Sequence, residues 1–138
     1  MQKAILKKYN PEKSSEKQEN NDFGINIPKH ILAVLSEYEE VRLKVNIEAK
    51  DTHLVTVNAY FDLFDFDQKL AQLTQWLKNY GEVIATVTMA EQKDSDTFGF
   101  QLVYAFDKDL VKLSKALGQL RRKLGLAQAI ELMILKRA

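Results

Sequence analysis

The sequence predicts an α+β fold in which one sheet is backed by two helices. Two stretches carry that expectation because they repeat each other. Leu54 to Val87 reads as a strand, a helix opened at Asp65 and stopped at Gly81, then a strand. Phe98 to Leu135 repeats the order, with its helix opened at Asp107 and stopped at Gly125. Between them QKDSD, residues 92 to 96, is turn chemistry. Two βαβ units joined by a hairpin give the order βαββαβ.

Taken in order, residues 1–25 read as a flexible tail or linker. YNPEKSSEKQENNDFG, residues 9 to 24, carries too little apolar surface to offset ordering entropy. MQKAILKK before it is too short to fold alone, and would suit the end of a helix belonging to something upstream. The chain would then be a segment of a larger protein. Residues 26–50 read as an N-terminal helix opened by Ile27-Pro28. Ile31, Val34, Leu35 and Tyr38 follow helical spacing, and Glu40 and Lys44 make a favourable pair. Val41, Leu43, Val45, Ile47 and Ala49 also alternate as a strand would, so periodicity fixes the helix to about Tyr38 and leaves the rest open.

Residues 51–138 form the βαββαβ domain. Its first strand, LVTVNAYF, turns Val55, Val57, Ala59 and Phe61 to one side and Thr56, Asn58 and Tyr60 to the other. Asp65 with Gln68 reads as a capping box. The helix that follows buries Phe66, Leu70, Leu73, Leu77 and Tyr80. EVIATVTMA and the aromatic FGFQLVYAF are the next strands. Asp107 caps the second helix, whose stripe is Leu110, Leu113, Leu117, Leu120 and Leu124; AQAIELMIL is the last strand. The whole is a ferredoxin-like sandwich of two βαβ repeats preceded by a long helix, with the first and third strands central. One sheet face packs on the helices. The other is solvated, binds a partner or lies under the N-terminal helix.

At 138 residues the chain can bury one real core, and 46% hydrophobic with 28% charged residues is ordinary globular composition. A net charge of +1 gives no global field toward nucleic acid or anionic membrane. With no cysteine, disulfides, thiolate metal sites and cysteine nucleophiles are excluded. No apolar run approaches a membrane span and no signal-peptide core follows Met1 to Lys8, so a cytoplasmic location is expected.

The sequence nominates no catalytic residue, cofactor or metal site. His30 and His53 lack a second histidine or spaced carboxylate. Asp62, Asp65 and Asp67 lack the glycine and distal glutamate of a calcium loop, and Asp94 and Asp96 belong to a hairpin turn. Phosphate-loop, dinucleotide and nucleophile-elbow motifs are missing. One stretch invites an RNA reading. FGF at residues 98 to 100 resembles part of the octapeptide of RNA-recognition-motif domains, which share the βαββαβ order. Asp96, Thr97, Val103 and Val55 stand where that family has a basic residue, a glycine and two aromatics. Phe98 and Phe100 are therefore expected in the core, and nucleic acid is the alternative partner.

The second helix carries a polar outer stripe of Lys108, Lys112, Lys115, Gln119 and Arg122. Such a stripe is either a solvated face or a dock for an acidic partner. Trp76, at the margin of the first helix's stripe, is either packed at the core edge or an interface anchor.

AVLSEYEEVRLKVNI, residues 33 to 47, resembles a helical segment of chemotaxis-type histidine kinases that precedes a βαββαβ domain. NYGEVI, residues 79 to 84, is similar to the end of that family's first βαβ unit. The resemblance covers about residues 28 to 138, and its specific part is 33 to 84. It implies that the helix runs to about Glu48. It also implies a non-catalytic regulatory module between phosphotransfer and kinase domains. Modules of this kind dock receiver domains of response regulators and raise their local concentration near the phosphohistidine. Val41 and Val45 stand where the family has histidine and glutamate. The more apolar helix makes a second copy a further candidate partner, beside a receiver domain or other domains of the parent kinase.

Overall fold

The structure, a computed structural model, describes residues 25–89 and 96–135. The residues expected as tail and linker before Ile25, and most of the expected QKDSD turn, lie outside the described residues. The chain divides into two compact units, Met1–Val34 with Lys136–Ala138, and Leu35–Leu135. The described part of the first holds one helical turn, α1 (Lys29–Leu32), with Ile27 and Ile31 buried.

The second unit holds α2 (Glu37–Glu48), β1 (His53–Asp62), α3 (Phe66–Tyr80), β2 (Glu82–Thr88), β3 (Thr97–Phe106), α4 (Leu110–Leu124) and β4 (Glu131–Ile134). Its four strands make one antiparallel sheet in the order β2-β3-β1-β4, compatible with a ferredoxin-like fold. β1 and β3 are central, as their apolar content predicts. Val57 is opposite Leu102 on one side and Leu132 on the other. One face sends Val55, Val57, Ala59, Phe61, Phe100, Leu102, Tyr104 and Phe106 into a core closed by Leu73 and Leu77 of α3 and Leu113, Leu117 and Leu120 of α4. On the opposite face Thr56, Asn58, Gln101 and Val103 of the central strands are buried as well, while Met133 on the edge strand β4 is exposed.

Local chemistry corrects several expectations. The single N-terminal helix over 26–50 is divided: Ser36 accepts from the Glu39 amide at 3.1 Å while Glu39 accepts from the Ser36 amide at 2.9 Å. This reciprocal box starts a new helix, because it satisfies donors that a continuous helix would bond internally. α2 ends at Glu48, and the alternation from Val41 to Ala49 does not make a strand. Asp65 precedes α3 but forms no cap; it pairs with Lys69 at 3.0 Å. Asp109, not Asp107, caps α4, accepting from the Val111 amide at 2.9 Å. β4 is confined to 131–134, so residues 127–130 of the expected strand are irregular. Tyr80 is 52% exposed rather than buried.

Candidate functional site

The described residues offer little for covalent or acid–base chemistry. They contain no cluster of three metal-ligating side chains. Asp67 accepts from the Gln68 amide and Asp65 holds Lys69, so the aspartates around the start of α3 act locally. The buried polar side chains of the sheet, Thr56, Asn58, Thr97 and Gln101, carry no titratable group. Tyr104 is buried and its hydroxyl donates to the Leu77 carbonyl at 2.6 Å. Burial pushes its phenol well above the ordinary range, with the nearby Asp107 adding to the effect, so it stays neutral. Phe98 and Phe100 lie on the helix side of β3, their ring centroids 5.0 and 6.0 Å from that of Phe66 on α3.

The two segments that carry the kinase resemblance meet in space. Arg42 Nε and one terminal nitrogen donate to the two oxygens of Glu82, at 2.7 and 2.6 Å. Asn46, one turn on, donates to the same carboxylate at 3.1 Å. Glu82 opens β2 directly after Gly81. The Arg42 hydrogen bond, aided by Asn46, holds its carboxyl below the usual glutamate range against the opposing pull of desolvation, and raises Arg42 in turn. The clasp ties α2 to the sheet edge while Leu43 is fully buried. It leaves Tyr38, Val41 and Val45 outward, between 45% and 72% exposed.

A concave feature among the described residues lies between α3 and α4. It is a cleft of ≈ 480 Å³, within the size range of sites that seat ligand groups. Phe106, Leu113 and Leu120 form an apolar floor, with the small Ala116 among them. Trp76 and Tyr80, one helical turn apart and 4.8 Å between ring centroids, form the α3 wall. Lys108, Lys112, Gln119 and Lys123 form the polar side on α4 and the loop before it. No carboxylate stands among these lining residues. Lys108 has an exposed pairing with Asp107 at 3.3 Å.

The polar stripe predicted on the second helix overlaps this cleft in part. Lys108, Lys112 and Gln119 of the predicted stripe line the cleft, whereas Lys115 and Arg122 do not. At 100° per residue those two fall opposite the buried Leu113, Leu117 and Leu120, on the outer face of α4. Lys123 and Tyr80 were missed. Lys123 follows Gln119 by four residues and Tyr80 follows Trp76 by four, so each continues a recognisable helical row. Comparison of the chain with protein-family models, with curated proteins and with solved structures finds no match.

Proposed function

We propose that the chain is a non-catalytic docking module that holds an acidic partner protein on the α3–α4 cleft. One observation carries this reading: three lysines are among the residues that line an aromatic cleft, and none of the lining residues is a carboxylate. Such a surface favours an anionic partner and speeds its approach, while the apolar floor supplies area to desolvate. The resemblance of residues 33 to 84 to chemotaxis-type kinases specifies the partner as a response-regulator receiver domain. In this reading the sheet and its helices are a ferredoxin-like scaffold working in the cytoplasm, and the Arg42–Glu82 clasp is structural.

Titration calorimetry with receiver domains encoded beside this chain is the test. Micromolar binding is expected, the range of modest transient contacts. Reversing Lys112 and Lys123 to Glu should weaken it steeply at low salt. Absence of heat with every such receiver would contradict the proposal. The RNA alternative is less well supported, because Phe98 and Phe100, the rings it needs for stacking, are packed against Phe66.

A further inference from the structure

We infer that the cleft is an anchor site: it takes a large apolar or aromatic side chain carried on an acidic segment of the partner. This rests on the docking reading and specifies the chemistry the partner must bring. A charge pair at a solvated rim contributes little, so lysines alone would steer a partner without holding it. Holding energy in small interfaces comes from aromatic and aliphatic anchors desolvated in a pocket. The α3–α4 cleft has the form such an anchor needs. Its floor is Phe106, Leu113 and Leu120, and Ala116 leaves room that a larger residue would fill. Trp76 is half-buried beside it and Tyr80 is 52% exposed, so both keep ring surface to cover.

The lysines then set the shape of the segment. Lys112 and Lys123 are eleven residues apart on one helix, a rise of about 16 Å at 1.5 Å per residue. A ligand that meets both lysines and fills the floor between them places its anchor between two acidic groups. Those groups would be separated by about five extended residues or about three helical turns. The occupant is therefore an acidic, amphipathic peptide segment. A flat anionic surface would leave the floor empty.

Trp76 is the single tryptophan of the chain, so its emission reports occupancy. The test titrates the full chain with three blocked ten-residue peptides that contain no tryptophan. The first has glutamates at both ends and two phenylalanines in the middle. The second replaces the phenylalanines by serine, and the third replaces the glutamates by lysine. A saturable shift of Trp76 emission to shorter wavelength is expected with the first, with affinity at least about tenfold above the other two. Ala116→Phe should abolish that response while the circular dichroism spectrum is kept; the peptide comparison needs no variant. If the serine peptide binds as well as the first, the anchor inference fails and acidic docking stands. Equal binding of the lysine peptide would remove both. If none of the three gives a saturable response, the anchor inference fails, and the receiver titration decides the docking reading separately.

Discussion

Gly81 and Gly125 occupy the same place in the two βαβ units, and each is glycine for a different reason. Gly81 ends α3 in extended backbone that any residue adopts. A Cβ there would run into the Ala105 carbonyl and come within 2.7 Å of the Tyr104 hydroxyl. Gly125 ends α4 with φ of 71°, the left-handed turn that closes a helix through the Gly125 and Leu126 amides. The aspartates at the other ends differ likewise, since Asp109 caps and Asp65 does not. The outer surfaces diverge most: α3 brings Trp76 and Tyr80 to the cleft, and α4 brings lysines. A repeat in sequence marks a shared topology, while the proposed docking surface lies where the two copies differ.

The largest break in this comparison is expected at Gly81. Gly81→Ala should cost about 1–3 kcal/mol, as overpacking against backbone does, with a clear fall in melting temperature. Gly125→Ala should cost about 1–2 kcal/mol for a left-handed L-residue, with the sheet unperturbed by NMR. Equal effects with equal spectral changes would mean that the two stops work alike.

The caps give a smaller contrast. Asp109→Ala should cost about 1 kcal/mol in denaturant unfolding. Asp65→Ala loses no cap, only an i,i+4 pair with Lys69, and should cost about 0.5 kcal/mol or less. Gly118 sharpens the picture from the other side. It lies inside α4 with open space where a Cβ would stand. Gly118→Ala should therefore stabilise by about 0.5–1 kcal/mol.

The smallest expected effect is on pH dependence, and it concerns the Arg42–Glu82 clasp. Glu82 is depressed in the folded state by Arg42 and Asn46. Its contribution is present above the unfolded carboxyl range and lost as pH falls through the lower folded value. Melting temperatures of the wild type and Glu82→Gln should differ at neutral pH and converge on the acid side. A constant gap would mean that the clasp adds no pH-linked stability.

How much of this the sequence discloses depends on how local the cause is. The two βαβ units were legible because alternation and leucine stripes record burial residue by residue, as Val55, Val57 and Leu113, Leu117 do. The break before α2 was written in Ser36 and Glu39, yet the helical spacing running across it from Ile31 to Tyr38 hid the box. Asp107 and Asp109 are two residues apart, and sequence spacing does not separate a cap from its neighbour. The cleft was half legible. A polar stripe identifies a helix's outer face, but which flank faces a groove depends on the neighbouring helix. Lys123 therefore belongs and Lys115 does not.

The central claim is that the partner docks on the α3–α4 cleft, and NMR mapping tests it most directly. A ¹⁵N-labelled chain would be titrated with an unlabelled receiver domain that gives heat in calorimetry. The account predicts that the Trp76 indole and the amides of Lys112, Ala116, Gln119 and Lys123 shift first and most. Shifts gathered on α2 around Tyr38, Val41 and Val45, with the Trp76 indole unmoved, would contradict it.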